Sequence, residues 1–305
     1  MSLSAERVAI ADRTILSTFK QASVAWQAIP HWDTCDPGQF RVRSDVLTST
    51  AIPEDKDLLA PLDGKTIELD KCNVRFLVTL AQATAPTPDA LLATVIARTV
   101  ELAKQFDTLV LDALRKKPST GTGTRTKPGT STPKGTADGD VVVNNVLRVL
   151  LGGRKQVEDA GYRADSCLIA STDWYRLINL IDVGQFVADE LLNAANVNSL
   201  YRATQLDEPN KTNKPNTPNT PNTPNTPNGY LLMVGRRQQI AHRGAAEASS
   251  GEEPIDLAVS LPPSLEIVGD DVSGRIELGV RIRFALRIKD QGGFVVLIAN
   301  DLRSA

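Results

Sequence analysis

The feature that most restricts this chain lies near its end. Every second residue from Ile276 is apolar: Ile276, Leu278, Val280, Ile282, Phe284, Leu286 and Ile288. Between and after them stand Glu277, Gly279, Arg281, Arg283, Ala285, Arg287 and Lys289. Period-two alternation of this length fits a strand and no helix, because a strand sends successive side chains to opposite faces. At ~3.3 Å per residue the strand is more than about 40 Å long. Asp290-Gln291-Gly292-Gly293 reads as a turn after it, and Phe294 to Ile298 as a strand that returns beside it.

A helix of similar length precedes this region. Thr87 is a good N-cap, Pro88 suits the first helical position and Asp89 complements the helix dipole. Leu92, Ile96, Val100, Ala103, Phe106, Val110 and Leu114 follow at spacings of three or four, and Arg115, Lys116 and Lys117 close the segment. Near 30 residues at ~1.5 Å each make a spine of roughly 45 Å. A long helix lying on a long hairpin is a coherent packing unit, with Ile282, Phe284 and Leu286 facing the spine.

The remaining chain is cut by two low-complexity islands. In Pro118–Asp138, 16 of 21 residues are Pro, Ser, Thr or Gly, and Pro209–Gly229 contains four tandem Asn-Thr-Pro units. Neither can bury a core, so both are expected as solvated loops. Before the spine, Ser4–Lys20 reads as an amphipathic helix and Ile29–Gly38 as a loop. Alternation over Phe40–Val46 and again over Ile67–Leu80 predicts two strands separated by a polar, proline-bearing excursion, Thr48–Lys65. Between the islands the pattern is α/β: a helix from Val141 to Ala160 with Gly161 at its C-cap, a buried strand Cys167–Ala170, a helix from Trp174 capped by Thr172 or Asp173, and a helix Phe186–Ala195. After the second island, Leu231–Val234, Gln239–Ala241, Ile255–Val259 and Leu265–Val268 read as short strands.

Little in the chain carries chemistry. Two histidines, His31 and His242, and three cysteines, Cys35, Cys72 and Cys167, exclude a histidine-rich metal site, a zinc ribbon and a disulfide scaffold. No serine-hydrolase, zinc-protease, phosphate-loop or dinucleotide motif is present. Asp138-Gly139-Asp140 is only a fragment of a calcium loop. His31, Asp33 and Cys35 are the one candidate nucleophile constellation, set against a packed loop as the alternative. No catalytic residue, cofactor or metal is therefore expected. The balance of 34 basic and 36 acidic residues gives a net charge of −2 and argues against a global nucleic-acid or membrane footprint. No run of 18 apolar residues occurs and the start lacks an apolar signal core, so the chain reads as cytoplasmic with reduced thiols. The basic row Arg275, Arg281, Arg283, Arg287 and Lys289 has two readings: contact with a polyanion, or a solvated or salt-bridged face. One version of the second pairs it with Glu54, Asp55 and Asp57 of a neighbouring copy.

The order of these elements, an N-terminal arm, a two-stranded excursion, a spine helix, an α/β block and final long strands, resembles the coat-protein fold of tailed bacteriophages. This is the Hong Kong ninety-seven type, shared by encapsulin shells. Local strings are similar too: Gln156-Val157-Glu158-Asp159-Ala160-Gly161-Tyr162-Arg163-Ala164-Asp165 leading into Leu168-Ile169, the helix Asp173-Trp174-Tyr175-Arg176-Leu177, and the ending Arg281–Asp290 followed by Gly293–Leu297. The resemblance implies an α+β coat fold with residues 1–39 as arm, 40–82 as extended loop, 83–117 with 270–305 as peripheral domain, 118–139 as loop, and 140–269 as axial domain. It implies a non-enzymatic subunit of an icosahedral shell, with copies of itself as partner. The shell would enclose nucleic acid in a virion assembled in a host cytoplasm. The alternative is an encapsulin compartment enclosing a cargo protein in a bacterial cytoplasm. Phe40, Val42, Ile67 and Leu69 of the loop, with Arg281, Arg283 and Arg287, are the expected assembly residues. A monomeric binding module displaying the Asn-Thr-Pro loop is the reading outside this class.

Overall fold

The computed structural model describes residues 3–52, 55–116, 138–179, 181–182, 185–186, 188–207, 229–244, 252–270 and 274–298. Both low-complexity islands fall almost wholly outside these residues, as does Glu54. The chain forms two compact units. The first holds Met1–Val110 and Ile255–Lys289; the second holds Leu111–Ala245, Glu252–Pro254 and the segment from Asp290.

The first unit opens with helix α1 (Ala5–Ala22), whose N-cap Ser4 accepts from the Arg7 amide. Its apolar stripe, Ala11, Ile15 and Phe19, is fully buried, and Asp12 accepts a hydrogen bond of 2.7 Å from the Leu265 amide. Helix α2 (Val24–Ala28) follows, and then strand β1 (His31–Asp33) within the stretch expected as a loop. Both depend on distant partners. Asp107 accepts from Ser23 Oγ and from the Val24 and Ala25 amides at 2.6–3.0 Å, and β1 runs parallel to β10.

Strands β2 (Arg41–Ile52) and β3 (Asp55–Glu68) pair with each other as a two-stranded ribbon. The stretch expected as a polar excursion is thus strand. Pro61 stands opposite Ser49, beside the register shift between Val46 and Ser49, a place where a proline is commonly found in a strand. Strand β4 (Asp70–Val78) leaves the ribbon and edges a four-stranded sheet ordered β1-β10-β11-β4. In that sheet β10 (Ile255–Asp270) is one long strand rather than two short ones, with register shifts around Pro262 and Pro263. The alternating segment is β11 (Ile276–Ile288), paired on both sides.

A short helix α3 (Leu80–Thr84), closed by a Thr79–Gln82 capping box, leads to the spine α4 (Asp89–Lys116). Its buried residues begin with Leu91, Val95, Thr99 and Leu102 and continue through Ala103, Phe106 and Val110. The expected stripe through Leu92, Ile96 and Val100 is therefore out of phase in the first turns, where Ile96 is 43% exposed. Apolar pairs at 91–92 and 95–96 allow either phase, and packing chose one. Downstream the phase agrees, and Phe106 meets Phe284 of β11 with ring centroids 4.5 Å apart.

The second unit is a mixed sheet ordered β12-β9-β5-β8. Its strands are β5 (Ala164–Ala170), β8 (Val197–Arg202), β9 (Tyr230–Arg236) and β12 (Phe294–Ile298). Helix α5 (Asp138–Asp159) ends in a glycine cap: Gly161 has φ 93°, and the Gly161 and Tyr162 amides donate back to Glu158 and Val157. Helix α6 (Thr172–Ile178) is capped by Ser171, one residue before the expected caps. The small pair β6 (Ile181–Asp182) and β7 (Gln185–Phe186) and helix α7 (Ala188–Ala194) complete the unit. Val149, Leu150 and Val157 of α5 bury against Leu168, Leu231, Met233, Val295, Leu297 and Trp174. Gly235 lets helix and sheet close, since a Cβ there would stand 2.1 Å from Val157 Cγ1 and 2.9 Å from Tyr162 Cβ.

Three expectations change here. β12 pairs with β9 and not with β11, so the final elements are not a hairpin. The expected division after residue 269 is also displaced, because β10 pairs along its length with β11 in the first unit. Gln239–Ala241 is irregular rather than a strand.

Candidate assembly interface

The site is built on the face of β11 that looks away from α4. Ala285 on β11 stands opposite Ala258 on β10, and two small side chains leave a hollow between strands. Val42, the second residue of β2, fills it. Val42 is 3% exposed and packs on Ala258 and Ala285, with Trp32, Ile67 and Leu69 around it. Val42 was expected at a subunit interface; the structure places it inside its own chain, and Ile67 and Leu69 are half-buried beside it. Phe40 differs: it is 69% exposed. The root of the ribbon is therefore a small apolar plug set into the outer face of the sheet.

The basic row surrounds this plug. Arg287 lies opposite Asp256 in the ladder and grips both its carboxylate oxygens at 2.6 Å. Lys289 Nζ is 2.9 Å from the same carboxylate, which is almost completely buried. Arg287 also donates to the Arg43 carbonyl at 3.2 Å and lies 4.7 Å above the Trp32 ring. Arg283 donates to the Pro37 carbonyl at 3.1 Å and lies 4.9 Å above the Phe40 ring. Arg281 donates to Glu266, which Asn73 also contacts at 3.2 Å. Arg281, Arg283 and Arg287 thus have partners within the chain: carboxylates for Arg281 and Arg287, a carbonyl and a ring for Arg283. Asp55 and Asp57 lie on β3, but their side chains are outside the described residues. Trp32, Pro37, Asp256 and the alanine pair were not foreseen as parts of this site. Only the register of β1, β2, β10 and β11 brings them together.

The candidate nucleophile group is arranged differently. His31 stacks on Trp26 with centroids 3.8 Å apart. Burial, with Lys20 nearby, lowers its pKa to about 4, and an imidazole of that pKa is a weak general base. Asp33 accepts from the amide of exposed Cys35, whose φ is 59°. This is a turn built by an aspartate side chain. Asp138-Gly139-Asp140 forms the first turn of α5. Among the described residues no three His, Cys, Asp or Glu side chains are grouped to hold a metal, and no helix is long and apolar enough to cross a membrane.

His31 supplies a pH prediction. Its pKa falls from 6.5 to about 4 on folding, so between those values the unfolded chain binds a proton that the fold refuses. Its contribution is complete above about pH 6.5 and is lost as the pH falls toward 4. Buried Asp107, raised by desolvation from 3.8 to about 6, acts with the opposite sign across much of that window. The comparison must therefore be differential: stability of His31→Phe minus that of the parent should rise as the pH drops from 7 to 4.5. A flat difference in urea unfolding across that range would refute the assignment.

No family model matches the chain, and no curated protein matches it. Solved structures do. A virus-like particle protein from Pyrococcus furiosus aligns over 96% of this chain and 100% of its own, with a TM-score of 0.59 and 13% identity. The holo-SrpI encapsulin complex from Synechococcus elongatus aligns over 93% of this chain and 90% of its own, at 0.51 and 10%. The capsid of an empty GTA particle aligns over 90% and 89%, at 0.50 and 14%. At these identities the shared property is the fold, and the chain has the α+β fold of phage-capsid and encapsulin shell proteins.

Proposed function

We propose that this chain is the subunit of a closed icosahedral shell built from copies of itself, of the phage major-capsid type. The observation that carries the reading is the two-stranded ribbon within a fold shared over nearly the whole chain with shell-forming proteins. A ribbon of two strands leaves the outer edge of each without a ladder partner in its own sheet, and such ribbons are marginal alone. Exposed apolar side chains on the first unit support it further: Phe40, Leu77, Ile96, Leu109 and Ile267 are each more than two-fifths exposed. Copies of the same surface related by symmetry are the economical cover for these features.

In this reading the chain has no catalytic role, encloses nucleic acid, and belongs to a virion assembled in a host cytoplasm. A second reading, an encapsulin compartment around a protein cargo in a bacterial cytoplasm, is favoured by the likeness to the encapsulin complex at a comparable score. Purified full-length protein should elute as hollow particles of megadalton mass, visible by negative-stain microscopy. A monodisperse monomer at high concentration would end the shell reading. Nuclease-protected nucleic acid inside the particles supports the capsid form, and a co-purifying protein the compartment form.

A further inference from the structure

We propose that Arg283 and Arg287 are positioning residues that fix the direction in which the β2–β3 ribbon leaves the sheet. The ribbon's root meets the sheet through the Val42 plug on Ala258 and Ala285, with Trp32, Ile67 and Leu69 around it, and apolar contacts of this kind locate the ribbon without a directional bond to set its angle. Orientation needs contacts on both sides of that pivot. The two arginines supply them from the same strand, on either side of Ala285. Each takes one aromatic ring and one backbone carbonyl from the segments that lead into or form the ribbon. Arg283 takes Phe40 and the Pro37 carbonyl; Arg287 takes Trp32 and the Arg43 carbonyl.

A carbonyl accepts only from a limited range of directions, and a guanidinium lies over a ring face at a defined height. Two such pairs bracketing a pivot fix a direction. The guanidinium is the group suited to this, because its planar fork can donate at its edge while its face covers a ring. Arg287 is itself held by both oxygens of Asp256, a residue of the sheet, so the sheet sets its plane. Arg283 takes its hold from the ribbon root alone in the contacts described above, and is the weaker of the pair.

The consequence for assembly rests on the shell reading. If the ribbon contacts a neighbouring copy, its direction at the root determines the angle between subunits, and a small set of such angles closes a shell of one size. Loosening both arginines should leave the fold intact and spread the angles.

The test uses the full-length chain. The double variant Arg283→Gln/Arg287→Lys keeps a cation beside Asp256 while removing both guanidinium forks and the cation over Phe40. Arg283→Gln alone leaves the Asp256 pair untouched and serves if the double variant fails to fold. Arg281→Gln, on the same face and bonded to Glu266 and not to the ribbon, is the control. Hydrogen exchange by mass spectrometry should show amides of residues 40–44 and 66–69 exchanging about tenfold faster in the double variant, with α4 unchanged. The single variant should show a smaller increase and the control none. Particles of the double variant should spread over several diameters where the parent gives one. Root exchange within twofold of the parent overturns the proposal, as does a single parental diameter with faster exchange. If the parent itself forms no particles the shell reading fails, and the exchange result alone decides the clamp.

Discussion

Replacing Asp256 by alanine is expected to destabilise the first unit by about 3–5 kcal/mol, the usual cost of removing one partner from a buried ion pair. The carboxylate is 1% exposed, and it faces an Arg287 side chain that is 12% exposed and a Lys289 side chain that is 4% exposed. Alanine would leave two cations in a poorly solvated place with nothing to balance them. The pair need not be net stabilising for this to hold, since desolvating three charges offsets most of their attraction. That distinction is measurable. Asp256→Leu combined with Arg287→Met and Lys289→Met removes all the charge, and should recover most of the loss in urea unfolding. If the single variant unfolds within 1 kcal/mol of the parent, on the order of the noise of such measurements, the three groups are solvated and the buried description of this site is wrong.

The second large effect is expected at Phe106. Its ring meets Phe19 at 5.3 Å, Trp26 at 6.1 Å and Phe284 at 4.5 Å, all in edge-on arrangements. One side chain thus joins α1, α2 and β11 to the spine. Phe106→Ala should cost about 3–5 kcal/mol, the range for emptying a large buried aromatic site. Phe106→Leu keeps much of the volume and loses the ring contacts, each worth roughly 0.5–1.5 kcal/mol beyond burial. Tryptophan emission, to which Trp26 contributes beside Trp32 and Trp174, should shift in both variants toward the spectrum of a more solvated indole. An unshifted spectrum with alanine at 106 would mean the cluster closes over the gap, and the stability loss should then fall toward 2 kcal/mol, about the lower end of large-to-small substitutions.

What was legible in the sequence was local. The alternation in β11, the apolar spacing of α1, and the glycine that ends α5 state their structures locally, because periodicity and capping are properties of neighbours. What failed depended on remote partners. β1 exists because His31, Trp32 and Asp33 lie beside Leu257, Ala258 and Val259. No property of a short segment with a proline before it announces that. Phe294–Ile298 has the composition of a returning hairpin strand and follows a good turn, yet β9 claims it. Composition fixes that a segment is a strand and is silent on which partner it takes. In α4 the two possible stripes share the later residues, Phe106, Val110 and Leu114, so the pattern could not choose between Leu91 and Leu92. The candidate site shows the same limit. The arginine row was visible as one face of a strand. That two of its arginines, Arg283 and Arg287, contact the ribbon root beside a buried Val42 follows from strand register and from an alanine pair meeting across β10 and β11.

The order of strands in the first sheet sets a clock on its formation. Val78 of β4 pairs with Ile276, and Asp33 of β1 with Val259. Both early strands wait for partners that leave the ribosome roughly 200 residues later. At ordinary rates of synthesis of ~5–20 residues per second, that delay is on the order of ten seconds or more. Throughout it the nascent chain carries β4 and the ribbon without the surface they dock on. A subunit cannot finish this sheet, or present its completed face to another copy, before β10 and β11 have been made, so growth of any multimer is postponed until those two strands have emerged.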